Sequence, residues 1–570
     1  MVVASLAAAF STCVANAWPL NAICGSASGL VVSQATLVST QSYSLCLAGT
    51  PSNVNISSSN ASWTWQCLGN NGGQTQSCST VAVSTPACGS ANGSSFSKAP
   101  STNLCSRGMP STVTGSGPWG WACGGVLGYP PVLCSAGNSA PTPAGRSWDF
   151  TKTLGINTHM GSSNTHYGSL SQTMADIIFL QKFNGGAHIG FNHMRTSVIY
   201  PSLVLFSSLM NITFLMPTTE PNLQNPALNQ ATLDQFAYAI EGLEGANEPD
   251  HIVTVNGLFS SGFVYGGQTG IPAAVAYQQV LYNLVKSDPL LSSIPVYNFS
   301  LGNNEANISG NMSAYANISN IHVYPTKGGS PYLSLMPQVS QVNNLPGKPV
   351  VISEIGYPTI PPNGNINLNS SIAPALVNEV NEDVQAKYTL SALFDSFNAG
   401  FKNIFLYELY DDGGPEINSC DNANTSKEFH FGLFRCDWSP KPLAVALQNL
   451  VNILADTNTN AKTFTPKPLA FSLTQTSSDP NMNVNVFNTL LQNAAGTYYL
   501  VLWAEPVLWN PTNAKETLVT APNTVTVTLK TAKTFTVYDP MIGKAPINQV
   551  SSATQLALQV YDHPIIVALN

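Results

Sequence analysis

Charge is what this chain has least of. Asp, Glu, Lys and Arg make up 8% of its 570 residues, against about 25% in ordinary globular proteins. The 20 Lys and Arg are scattered, and the net charge is −8. Nucleic acid and anionic membranes are excluded as partners, because both need a clustered basic surface. After the N-terminus no apolar run reaches the roughly 18 residues that span a bilayer, so no transmembrane segment is expected there. The 8 histidines stand apart, with no H-x-x-x-H or C-x-x-C spacing, so neither a metal site nor a cofactor is expected. A G-x-S-x-G elbow and phosphate-binding loops are missing as well. Few carboxylates also leave little charge to lose as pH falls. Acid unfolding through protonated salt bridges therefore has little purchase, which is compatible with an acidic habitat without requiring one.

Cysteine, by contrast, is plentiful. Residues 1–17 read as an export signal: an apolar stretch from Val2 to Phe10, then Ala15-Asn16-Ala17 as a cleavage pattern, without the usual basic start. Removing Cys13 with that signal turns 11 cysteines into an even set: Cys24, Cys46, Cys67, Cys78; Cys88, Cys105, Cys123, Cys134; Cys420 and Cys436. An even set in an exported chain reads as disulfides, with three pairings open within each quartet. A secreted or cell-surface location is expected, and ten N-x-S/T sequons, Asn55 and Asn211 among them, fit it.

The two quartets belong to an internal repeat. Cys24-Gly25-Ser26-Ala27 recurs as Cys88-Gly89-Ser90-Ala91, and Trp63-Thr64-Trp65-Gln66-Cys67 as Trp119-Gly120-Trp121-Ala122-Cys123. Modules this small need disulfides and a tryptophan pair to hold them. The paired tryptophans pack as a mini-core or stack on sugar rings; the first reading is preferred. The copies, at 18–82 and 83–137, resemble Cys/Trp repeats of bacterial surface proteins, which implies association with a cell surface or matrix. A Pro/Ala/Ser-rich linker is expected at 138–146.

From 147 to 456, short β-rich runs alternate with amphipathic helical stretches. Eight strands are expected near 154–159, 189–198, 212–216, 240–247, 294–298, 318–324, 349–354 and 403–410. Helices are expected at 273–286, 384–398 and 442–454. Eight such units fit a (β/α)8 TIM barrel, whose site lies at the C-terminal strand ends. Over 457–570 alternating runs such as Tyr498-Tyr499-Leu500-Val501-Leu502 predict an antiparallel β-sandwich.

Two acidic segments carry the chemistry. Asn247-Glu248-Pro249 is expected at the end of strand four and Ser353-Glu354-Ile355-Gly356-Tyr357 at the end of strand seven. Together they resemble the signature of clan A retaining glycoside hydrolases, nearest to family-39-like and cellulase-like members. The resemblance implies Glu248 as acid/base and Glu354 as nucleophile, about 5 Å apart. It further implies that Arg195 orients the nucleophile, that Asn247 bonds the sugar 2-hydroxyl, and that His322 and Tyr324 are hydrogen-bonding partners on the nucleophile side. Strand eight, Tyr407-Glu408-Leu409-Tyr410-Asp411, departs from the clan's frequent tryptophan. Glu408 and Tyr410 share a face there and are expected at the mouth as sugar contacts. Asn157 and His159 are expected on the rim, and a Cys420–Cys436 bridge is expected to hold Trp438 near the cleft. Glu241, Glu244 and Asp250 also lie near the acid, but Glu248 alone stands in the Asn-Glu-Pro context.

The function expected is a secreted, endo-acting glycosidase on a β-linked polysaccharide. The alternatives are a transglycosylase with the same site and an inactive, glycan-binding surface protein.

Overall fold

A computed structural model describes residues 22–24, 31–32, 45–48, 50–52, 55–56, 62–69, 73–82, 86–96, 98–113, 119–124, 132–138, 141–160, 165–184, 187–197, 203–215, 226–250, 252–255, 258–261, 263–302, 310–339, 345, 347–360, 379–411, 429–476, 486–511, 515–519 and 522–570. The export signal and Cys420 lie outside the described residues. The chain divides into two compact units. One comprises Met1–Asn92, Thr102–Ser111 and Ala122–Leu133; the other comprises Gly93–Ser101, Thr112–Trp121 and Cys134–Asn570.

In the first unit Ser62–Leu68 pairs antiparallel with Gln76–Ala82, setting Trp65 opposite Cys78. Disulfides join Cys24 to Cys78, Cys46 to Cys67 and Cys105 to Cys123. The first quartet thus pairs outer with outer and inner with inner. Cys88, Cys134 and Cys436 are disulfide-bonded too. Trp65 is buried, and its indole N–H donates to the Leu45 carbonyl at 2.8 Å. A buried, satisfied indole is what a mini-core requires.

The second unit contains eight parallel strands: β1 (Leu154–Asn157), β2 (His193–Thr196), β3 (Asn211–Leu215), β4 (Ile240–Glu244), β5 (Val296–Tyr297), β6 (Ser319–Val323), β7 (Val350–Ile355) and β8 (Ile404–Leu406). Their order is β5-β4-β3-β2-β1-β8-β7-β6. A parallel bridge between Tyr297 and Ile318, with the Asn298 N–H bonded to the Ile318 carbonyl, draws the ring nearly shut. All eight expected strands are present, each shorter than or equal to its expected run. Helices follow seven of them; none is described between β5 and β6, so the eightfold βα repeat expected is not complete among the described residues.

Strands such as Val350–Ile355 and Ile404–Leu406 begin as apolar runs because they are packed from inside and outside. The inside is tight. A Cβ on Gly155 would meet the Phe405 ring at 2.7 Å, and one on Gly242 the Tyr297 ring at 2.8 Å. Outside, the helix Gly270–Ser287 buries Ala273, Ala274, Tyr277, Leu281 and Val285. Their three- and four-residue spacing makes one stripe, which packs on Phe214, Leu243 and Val296 of the wall. The helix Glu382–Asn398 starts where Asn381 accepts from the Val384 N–H, with Glu382 and Asp383 in its first turn. The helix Pro442–Leu454 spans the expected residues and opens on proline, whose missing N–H costs nothing there.

The C-terminal strands are β9 (Phe471–Thr476), β10 (Phe487–Gln492), β11 (Tyr498–Trp503), β12 (Asn523–Tyr538), β13 (Asn548–Val560) and β14 (Ile565–Leu569). They form one connected seven-stranded sheet around a single apolar core. The link between its two ends is β12. Its first half pairs with β9 and its second half with β14, while β13 runs along both. The seventh strand, Gly145–Arg146, pairs parallel with β10 and comes from the stretch read as a linker.

Candidate active site

The C-terminal ends of β1, β2, β4, β6 and β7 surround a cavity of about 700 Å³. Arg195, at the end of β2, is 4% exposed and spends all five of its N–H donors inside it. Nε and Nη2 hold the Glu244 carboxylate at 2.6 and 2.9 Å. Nη1 reaches Asn157 at 2.8 Å and Glu354 at 2.7 Å, and Nη2 reaches Asn247 at 2.8 Å. Burial works against this guanidinium's charge, but Glu244 and Glu354 outweigh it and hold its pKa above the usual arginine value.

Glu354 takes a second hydrogen bond, from the Tyr324 hydroxyl. Burial, then the Glu354 charge, pushes that phenol well above its ordinary value, so it stays a donor. His322 reaches Glu248 through Nδ1 at 2.6 Å and Ser353 Oγ through Nε2 at 3.0 Å. Ser353 donates its own proton to Glu244, at 3.1 Å, and so must accept from Nε2–H. Nδ1 is left to share a proton with Glu248. Burial disfavours the imidazolium, but the charges of Glu354 and Glu248 prevail over it and over Arg195, and the His322 pKa is raised.

One oxygen of Glu248, one of Glu354 and a ring nitrogen of His322 all lie within 4.8 Å of one another. These are metal-ligating side chains. An added cation would have to displace the Arg195 and Tyr324 bonds to Glu354 and the proton between His322 and Glu248.

Backbone irregularities aim these groups. Asn320, His322 and Tyr324 share a face by period-two alternation, and all three point inward, Asn320 donating to Glu244 at 2.7 Å. Neighbours Ser353 and Glu354 should point to opposite faces. Register shifts against β6 and β8 let both contribute to the site. Glu248 has φ +42°, a left-handed conformation that costs a residue with a Cβ on the order of 1–3 kcal/mol. Its N–H donates to Ser300 Oγ at 3.3 Å.

Of the expected residues, Asn157, His159, Arg195, Asn247, Glu248, His322, Tyr324 and Glu354 line the cavity. Three do not. Glu408 is 1% exposed and accepts from the Tyr167 hydroxyl at 2.9 Å. Tyr410 is buried, its hydroxyl donating to Asp176 at 2.7 Å. Trp438 packs on the rings of His166 and Tyr410. The reason is that β8 ends at Leu406, so strand alternation does not carry on to 408 and 410. Tyr407 lines the cavity instead, 3.3 Å from His159 Nε2. Among the near neighbours of Glu248 in sequence, Glu241 binds His193 and Asp250 accepts from the Gly302 N–H. Glu244 matters more than its sequence context indicated. It is wholly buried and ties Arg195, Asn320 and Ser353 together. The usable signal was its position at a strand end, with the same parity as inward-facing Gly242.

No family model and no curated protein sequence matches this chain. Solved structures do resemble it at low identity. A family 39 glycoside hydrolase from Bacteroides cellulosilyticus WH2 is 13% identical over 91% of this chain and 97% of that one, with a TM-score of 0.46. A GH2 β-galacturonidase from Eisenbergiella tayi is 13% identical over 68% of this chain and 57% of its own, with a TM-score of 0.35. A β-glucuronidase from Bacteroides uniformis is 11% identical over 91% and 58%, with a TM-score of 0.38.

Proposed function

We propose that this protein is a retaining glycoside hydrolase, secreted and endo-acting on a β-linked polysaccharide. The observation that carries the reading is that one carboxyl oxygen of Glu248 lies within 4.8 Å of one of Glu354, side by side in the cavity. Retaining enzymes hold their carboxyl groups about 5–5.5 Å apart, whereas inverting enzymes leave about 6.5–9.5 Å for a water.

In this reading the Glu354 carboxylate attacks the anomeric carbon. Glu248 gives its proton to the departing glycosidic oxygen, and the C–O bond breaks. Water then enters, Glu248 takes a proton from it, and the hydroxide displaces Glu354. Arg195 and Tyr324 orient the nucleophile and balance its charge. His322 shares the proton that Glu248 must deliver. Asn247 stands beside the acid, where a sugar 2-hydroxyl would come. A second sugar entering in place of water would make the same site a transglycosylase.

The test is the anomeric configuration of the first product, followed by NMR on a β-linked oligosaccharide. Retention of the β configuration is expected; a first-formed α product would sink the mechanism. Product sizes from a long polysaccharide report endo action: random mid-chain cleavage supports it, and steady release of one small sugar does not.

A further inference from the structure

Resting on the glycosidase reading, we propose that the sugar held at the cleavage point is neutral, and that the cavity discriminates against uronic acids. A uronate differs from its neutral counterpart in one group, a carboxylate in place of a hydroxymethyl. To bind it in a buried site, a protein must supply donors or a cation to that carboxylate.

This cavity has already committed its cations, and the donors left in its lining are neutral, Thr196 Oγ1 among them. Among the described lining residues Arg195 is the one arginine or lysine. Its five N–H donors go to Glu244, Glu354, Asn247 and Asn157, and a guanidinium has five and no more. His322 has both nitrogens engaged, on Glu248 and Ser353. The fixed charges around the cavity are mostly negative: Glu244 and Glu354 flank Arg195, while Glu248 and His322 share one proton.

A fourth carboxyl group stands behind the wall that follows β1 and β8. Glu408, 1% exposed, lies 3.2 Å from His159 Nε2, and His159 and Tyr407 form the cavity surface in front of it. Through that wall a sugar meets a phenol and an imidazole, neutral partners for hydroxyl groups, with an acidic group behind them. Glu408 is thereby a specificity-determining residue that acts through His159.

Among the described residues Lys327 is exposed and follows Thr326, a lining residue.

The experiment compares substrates matched in every centre except C6: aryl β-glucoside with β-glucuronide, and aryl β-galactoside with β-galacturonide. At least one neutral member is expected to be turned over with kcat/KM about 100-fold or more above its uronate partner. Glu408→Gln, which keeps the shape and removes the acidic group, should narrow that ratio about tenfold. A uronate turned over as well as its neutral partner overturns the inference and leaves the glycosidase reading standing. An unchanged ratio in Glu408→Gln removes Glu408 from the account. If neither class is cleaved across the panel, the glycosidase reading fails and the inference falls with it.

Discussion

Two pairs of buried carboxyl groups can be set side by side in this molecule. Glu248 and Glu354 face each other in the barrel mouth. Asp395, in the helix Glu382–Asn398, hydrogen-bonds Glu505, two residues past β11, where the barrel meets the C-terminal sheet. The first pair opens on a cavity and is framed by Arg195, His322 and Tyr324. The second is sealed at 3% exposure on both sides. Glu505 takes bonds from Ser330 Oγ, the Tyr332 N–H and the Trp503 indole, all neutral donors. Burial, then the charge of Glu505, pushes Asp395 well above the carboxylate range, so it keeps its proton and donates it. Close carboxyls alone therefore do not make a reaction centre. A cation and an opening separate a pair that can exchange protons with a substrate from a pair that cements two layers.

The sharpest way to break that comparison is to neutralise one acid from each pair. Glu354→Gln should lower kcat by about 10⁴-fold or more, above the usual 10²–10⁴ for an acid/base group alone, with little change in stability. Asp395→Asn should leave kcat within about twofold and act on stability instead. The folded pKa of Asp395 is raised, so the native state holds its proton at pH values where the unfolded chain releases it. Stability is then fully present below about pH 3.8 and falls as pH rises toward the folded value. Asp395→Asn should flatten that decline in chemical-denaturation curves taken from pH 4 to 8. If Asp395→Asn abolishes activity in a folded protein, the two pairs are not functionally distinct.

Next in size is Arg195→Met. It leaves Glu244 buried without its cation, and breaking a buried ion pair costs about 3–5 kcal/mol. Both Tm and activity should drop, and Glu244→Gln in the same chain should recover part of the Tm but none of the activity. Full recovery of activity would remove Arg195 from the machinery.

How far the sequence foretold this arrangement depends on whether the cause is local. Strand positions were legible because a strand buried on both faces is a short apolar run, as in Val350-Val351-Ile352. Glu248 and Glu354 were legible because each ends such a run. His322 and Tyr324 followed from alternation, which β6 keeps as far as Tyr324. Alternation failed at Glu408 and Tyr410, since β8 stops at Leu406. The part played by Glu244 was hidden because it depends on Arg195, Asn320 and Ser353, each on a different strand. The strand at Gly145–Arg146, within the stretch read as a linker, was hidden for the same reason: pairing Gly145 beside Leu491 leaves no mark on either local pattern.

A third site tests whether neutral or charged partners hold the two layers. His563 lies between Asp539 at 3.2 Å and Asp562 at 2.7 Å, and Asp562 also meets Lys387 of the barrel helix at 3.0 Å. Burial opposes the imidazolium, yet the two aspartates raise its pKa to about 9. The stability this contributes is fully present below pH 6.5 and is lost as pH rises through about 9. It amounts to about 3 kcal/mol at most. His563→Gln should lose stability at pH 5 and little at pH 10. Equal losses at both would mean the ring acts by packing and not by charge.

The smallest expected effect bears on the working pair itself. Because Ser353 fixes the Nε2 proton, the other nitrogen of His322 and the Glu248 carboxyl hold one proton between them, and its loss is a property of the pair. The raised pKa of His322 places that loss above the ordinary imidazole value of 6.5. The alkaline limb of kcat/KM should therefore lie above pH 6.5. In His322→Gln the proton belongs to Glu248 alone, and the limb should move by a unit or more toward the ordinary glutamate range. Activity at neutral pH would then fall about tenfold, while the acid limb stays in place. Ser353→Ala leaves the imidazole present but frees its tautomer, so its limb should fall between those of the wild type and His322→Gln. A limb unmoved in both variants would mean that Glu248 holds its proton without help from β6 and β7.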